Sequence, residues 1–253
     1  MYDQRQSRHA SPGLLEAGPS GRREGAHDMM TGNERVGEIV ATKLVEVTRL
    51  RDPSLAEHLR RTAEIACAIG AEMGLTMDNL DRLYLAAQLH DVGKLGISEA
   101  ILWKPAGLTR GEWKIVRTHP EEGHRLITDV VHRDVAAAVL YHHERTDGEG
   151  YPFGIDSRTL PIVARIVQVA DAFDAMTSER PYQSAMPPPL AVAEILRCSG
   201  TQFDTDVARA VATLFEGRNS PVPPIERRHR PHPADRSELS PVPSLVRLRD
   251  RPA

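Results

Sequence analysis

Leu89-His90-Asp91-Val92-Gly93-Lys94 closes an apolar run with the three-and-four spacing of a helix. The histidine offers a neutral nitrogen ligand and the aspartate an anionic oxygen ligand on adjacent positions. Neighbouring side chains on a helix diverge by about 100°. The pair can therefore serve one metal cluster only if the helix stops there with its tip in a cleft. In this reading Gly93 supplies the stop, by tolerating the left-handed conformation just past the helix. Lys94 then sets a cation where an anionic substrate would want one.

Upstream, Val36, Ile39, Val40, Leu44 and Val47 recur three and four apart and predict an amphipathic helix from Glu34. Asp52-Pro53 opens the next helix as cap and first-turn proline. That helix carries His58 on an apolar stripe, and Gly70 or Gly74 ends it. A third, from about Asp78, delivers His90-Asp91. Downstream, Thr109-Arg110-Gly111-Glu112 reads as a capping box, and His119-Pro120 marks a break. A helix from about Arg133 leads to His142-His143-Glu144, and Asp147 to Pro152 is turn chemistry. Helices from about Leu160, from Pro187 and from Asp204 or Thr205 complete the pattern. No strand pattern appears. The expectation is an all-α helical bundle over 34–217, with a disordered tail over 1–33 and a Pro/Arg-rich disordered tail over 218–253.

Composition narrows the function classes. Of 253 residues, 40% are apolar and 26% charged, which suits a soluble globule with a proper core. A net charge of −3 is too near neutral to argue for a nucleic acid polymer or a membrane surface as partner. No apolar run approaches the ~20 residues of a membrane span, and the N-terminus lacks signal-peptide order. Cys67 and Cys198 show no pairing pattern and read as reduced core residues. Cytoplasmic location is expected.

Seven positions that face inward or sit at helix breaks can bind metal: His58, His90, Asp91, His119, His142, His143 and Asp171. Five are histidines, from a chain that contains 11. Helical bundles build metal sites in this way, from side chains on facing helices. Imidazole and carboxylate without thiolate suit iron, manganese or zinc. Seven ligands exceed the three or four of one catalytic zinc, and two ions sharing Asp91 would use them.

His90-Asp91 with Gly93-Lys94, His119-Pro120-Glu121, His142-His143-Glu144, Gly150-Tyr151-Pro152 and Ala170-Asp171-Ala172-Phe173-Asp174 together resemble the HD-GYP family, a branch of the HD phosphohydrolases. The resemblance runs from about residue 50 to 216. It implies an all-α, metal-dependent phosphodiesterase that opens cyclic di-GMP to linear pGpG and on to GMP. Such a two-metal centre lowers the pKa of bridging water and clamps phosphate oxygens. By resemblance, His58, His90, Asp91 and Asp171 hold one ion, and His119, His142, His143 and bridging Asp91 the other.

Also by resemblance, Asp91 and Lys94 are the catalytic residues, with Lys94 on a non-bridging phosphate oxygen. Arg180 is a second phosphate contact, and Tyr151 either stacks on a guanine or shapes a protein-contact surface. Two departures stand out. Gln183 replaces a residue that is often basic in the family, which implies weaker substrate affinity. Ser54 stands one turn before His58, where some members carry a glutamate for a third ion, so two ions, iron or manganese, are expected. Two other readings stay open: a phosphohydrolase for another nucleotide, or a module that binds cyclic di-GMP or docks a protein through the Gly150-Tyr151-Pro152 loop. Family members usually carry a receiver or sensor domain; none is expected here, which leaves the regulatory input open.

Overall fold

Helices begin and end where the chain caps them. The computed structural model describes residues 32–179 and 184–216. The tail expected over 1–33 lies outside them except for its last two residues, which are helical, and the tail over 218–253 lies wholly outside. Asp52 ends α1 (Gly32–Arg51) and starts α2 (Pro53–Glu72) by accepting the Leu55 amide at 2.9 Å. Gly74, at φ +74°, turns the chain out of α2, and Thr76 caps α3 (Met77–Leu89). A 3-10 turn, Val92–Gly96, follows at once and carries Lys94.

After the short α4 (Glu99–Leu102), α5 (Arg110–Val116) opens with the full Thr109–Glu112 capping box. α6 (His119–Ile127) starts at the His-Pro break. His132 caps α7 (Arg133–Tyr141) by accepting the Asp134 amide. α8 (Ile162–Thr177), α9 (Pro188–Arg197) and α10 (Thr205–Glu216) complete the order, with Asp204 accepting the amides of Asp206 and Val207 to cap the last. Among the described residues the only extended pairing is an isolated bridge between Ser199 and Phe203. No helix there is long and apolar enough to cross a membrane.

α8 is the axis of the bundle. Val163, Ala164, Ile166, Val167, Val169 and Ala170 are buried right round it, and α2, α3 and α7 pack against it. Each fully buried Val, Leu or Ile contributes about 1.5–3 kcal/mol. This apolar collar fixes the next turn of α8, which carries Asp171 and Asp174, opposite His58 on α2.

Two expectations are corrected by the packing. Of the predicted stripe, Val36, Ile39 and Val47 face solvent and Val40 is half-buried; only Leu44 meets the core, with Gly37, Ala41, Val45 and Thr48. Periodicity could not choose, because α1 carries apolar residues on both sides. Gly93 is not left-handed, since the positive-φ glycines are Gly74, Gly148, Gly154 and Gly200. It is needed for close approach instead: a Cβ there would overlap the His119 carbonyl oxygen and lie 2.6 Å from the Gly123 nitrogen. Gly93 and Gly123 let the 3-10 turn and α6 touch through backbone, which brings His119 to Asp91.

Gly93→Ala is therefore expected to lose about 3 kcal/mol to overpacking, a fall in melting temperature of roughly 6–12 °C. Gly96→Ala, with nothing within 4 Å of its added carbon, should melt like the parent. Thermal melts of the two variants side by side check this, and equal melting would refute the backbone contact.

Candidate metal centre

Three helix ends aim imidazoles at one buried carboxylate. His90 follows α3, His119 follows the end of α5, and His142 follows α7. Each ring donates its Nδ1–H to the carbonyl three residues back: Ala87 at 2.8 Å, Val116 at 2.7 Å and Val139 at 2.9 Å. Those carbonyls are orphan acceptors of a helix C-terminus. Satisfying them fixes the tautomer, so each Nε2 carries a bare lone pair. The three Nε2 atoms point inward at Asp91, in a site where all four residues are buried.

Asp91 divides its two oxygens between two sets of partners. Oδ1 lies 3.1 Å from His119 Nε2 and 4.0 Å from His142 Nε2. Oδ2 lies 3.5 Å from His90 Nε2 and 2.5 Å from Lys94 Nζ. Two groups of potential ligands result: Asp91, His119, His142 and His143 in one, His58, His90 and Asp91 in the other. Asp171 adds to the second, with Oδ1 3.2 Å from His58 Nε2 and 3.9 Å from His90 Nε2. The structure thus brings all seven positions that the sequence suggests close together around Asp91.

The donor set fits divalent cations. His119 Nε2 and His142 Nε2 stand 3.2 Å apart, lone pair toward lone pair. Such a pair is repulsive alone, and about 3.0–3.4 Å is the spacing of neighbouring ligands on one ion with bonds of about 2.0–2.1 Å. His90 Nε2 and Asp91 Oδ1 are buried without a hydrogen-bond partner. A buried orphan of this kind costs on the order of 1–3 kcal/mol, more when charged, and a cation would satisfy both.

Electrostatics agree with that fit. Burial, reinforced by neighbouring imidazoles, lowers His142 far below the usual value and His143 to about 3, leaving both neutral and ready to coordinate. Burial also lowers His90. Burial would push the Asp91 carboxyl up, yet the Lys94 ammonium beside it holds it well below the carboxylate range. For His58, burial pulls down, but hydrogen bonds to Asp171 and Asp174 outweigh it and lift the ring to about 9.

Some supporting roles escaped the sequence reading. Asp174 accepts His58 Nδ1 at 2.7 Å and is clamped by Arg61 at 2.6 and 3.0 Å. Its spacing of three from Asp171 puts both on one face of α8, which was the available signal. Arg51, at the end of α1, donates to the carbonyls of Lys94, Leu95 and Ile97 and so holds the turn that carries Lys94. Buried Glu144 accepts the amides of Phe153 at 2.7 Å and Ile155 at 3.0 Å, shaping the Gly150-Tyr151-Pro152 loop from within.

Tyr151 stacks on His143, with centroids 4.5 Å apart, and the Arg117 guanidinium lies 4.4 Å over the same ring. Two groups so near one centroid occupy opposite faces, so a guanine stacking there would have to displace Arg117. Nothing local in the sequence marks Arg117, which reaches the loop across the fold. Arg180 and Gln183 lie outside the described residues.

A family model for the HD domain matches residues 44–207. A cyclic di-GMP phosphodiesterase response regulator of Xanthomonas campestris pv. campestris is 36% identical over 180 residues, 70% of this chain and 47% of that protein. A 3'3'-cGAMP-specific phosphodiesterase of Vibrio cholerae is 33% identical over 203 residues, 79% of this chain and 43% of its own. The chain spans about half the length of the curated relatives it matches. Among solved structures, an HDG"Y"P protein from Bdellovibrio bacteriovorus is similar at a TM-score of 0.55 and 18% identity. That likeness covers 73% of this chain and 62% of that one, and shows the fold alone.

Because His58 titrates at about 9, its Nε2 carries a proton at neutral pH before any ion arrives. Metal uptake should release that proton, and apparent affinity should climb with pH until about 9. Asp174→Asn should weaken metal binding about 10–100-fold by loosening His58. Calorimetric titration in two buffers of different ionisation enthalpy reads both quantities; no proton release, or unchanged affinity, would count against this assignment.

Proposed function

The chain belongs to the HD domain family, and on that premise we propose that it is a metal-dependent phosphodiesterase of cyclic dinucleotides. Its motifs belong to the HD-GYP branch. The substrate we assign is cyclic di-GMP, opened to linear pGpG and on to GMP, in the cytoplasm. The observation that carries the reading is Asp91, one carboxylate shared between two groups of potential ligands in a buried pocket.

In this reading His58, His90, Asp91 and Asp171 hold one divalent ion, and Asp91, His119, His142 and His143 a second, iron or manganese. Bound ions supply water activation and charge neutralisation at the phosphate. The protein supplies the rest. Lys94, partly exposed and held on Asp91 Oδ2, contacts a non-bridging phosphate oxygen and steadies the charge that develops there. Arg51 keeps Lys94 at that post through the backbone of its turn. Arg61 and Asp174 keep His58 turned toward the site.

A second reading draws on one further observation. Phe153, beside Pro152, leaves more than half its surface exposed, and suits a loop that also docks a protein. A third follows from the cGAMP-specific relative, since the same ligands would serve either dinucleotide.

The test is turnover of cyclic di-GMP and 3'3'-cGAMP, followed by chromatography, by protein purified without oxygen and loaded with Mn²⁺ or Fe²⁺. Conversion of cyclic di-GMP to pGpG or GMP is expected, with at least a roughly 10³-fold loss in His90→Ala/Asp91→Ala and roughly 10²-fold in Lys94→Met. Faster cGAMP turnover would reassign the substrate. Tight binding without turnover would make the protein a receptor.

A further inference from the structure

α1 is apolar on both sides. Its inner side meets the core through Ala41, Leu44 and Val45, while Val36, Ile39, Val47 and Leu50 point outward. Ile39 is 61% exposed and Leu50 81%. At 100° per residue the four outward positions fall within an arc of about 80°, with Lys43 beside them. A helix apolar on both faces is normally covered on both. The order of residues within the outer stripe tells what covers it.

Written as a heptad, Val36, Lys43 and Leu50 hold the a positions, and Ile39 and Glu46 hold d. Two parallel copies in register would set Lys43 against Lys43 and Glu46 against Glu46, a like-charge clash at the centre of the seam. Antiparallel copies set a against d. Ile39 then meets the partner's Leu50, Lys43 meets the partner's Glu46, and both pairs repeat across the two-fold axis. These layers are matched, apolar on apolar and cation on anion, Val40 flanks the partner's Val47, and Val36 alone runs past the end of the partner's α1. Within one chain Lys43 and Glu46 already pair at 2.8 Å on an exposed surface. Such a pair contributes little, so exchanging it for the same pair between helices loses almost nothing.

We propose that the outer face of α1 is a homodimer interface, on which a second copy of this chain lays its α1 antiparallel. The stripe is self-complementary, as a two-fold interface requires. One helix pair covers less than the ~1,600 Å² of a standard interface, so the dimer is weak and forms in the micromolar range.

Sedimentation velocity of the full chain, from low micromolar to submillimolar, tests this. The mean mass should rise from monomer to dimer. Ile39→Glu and Leu50→Glu should each weaken the dimer at least roughly tenfold, about 1.4 kcal/mol. Lys43→Glu should weaken it too, and Lys43→Glu/Glu46→Lys should restore it, because the swapped charges again meet their opposites. All four positions are on the outer face, so unchanged thermal melts will show that folding is not the cause. A chain monomeric throughout, or a dimer that Leu50→Glu leaves intact, would overturn the interface. A double swap as weak as Lys43→Glu alone would overturn the antiparallel pairing.

Discussion

Three imidazole lone pairs face one buried carboxylate, and most of the site follows from how they are held. A helix C-terminus leaves carbonyls without partners, and His90, His119 and His142 each satisfy one from three residues on. The bond fixes the ring and its tautomer together. What is left over, the Nε2 lone pair, has nowhere to go but the interior. Burying acceptors against acceptors is unfavourable unless a cation joins them. The protein thus stores, in ordinary helix-end bonds, a geometry that asks for metal.

The surrounding bundle holds that geometry at close quarters. Backbone contact between Gly93 and α6 brings two helix ends within reach of one carboxylate. Asp174 and Arg61 hold His58 from outside, and Glu144 ties the loop after His142-His143 back onto itself. Tyr151 closes that side through His143 and Arg117. α1 reaches the same turn through Arg51, so the helix with an open apolar face is also the one that grips the backbone at Lys94. Recognition of another chain and support of the site meet at the end of one helix.

Much of this was legible. Helix boundaries followed from Asp52, Thr109, Asp204 and the prolines, because capping is a local hydrogen bond between near neighbours. The inward position of His58 followed from its stripe. The face of α1 that meets the core did not follow, since a helix with apolar residues on two sides offers periodicity no basis for choice. Arg117 over Tyr151 and Arg51 on the 3-10 turn were hidden for another reason: an arginine's partner, several helices away in the fold, leaves no mark in its own neighbourhood.

The sequence by itself determined an all-α chain and its helix ends, and it singled out seven candidate ligands, because each depends on residue type and short-range spacing. Only the tertiary structure decided that Gly93 serves close approach, that Arg117 lies over Tyr151, and that α1 leaves an apolar face uncovered by the described residues. Those are distances between elements remote in the chain, set by which surfaces pack best together, and no local pattern encodes them.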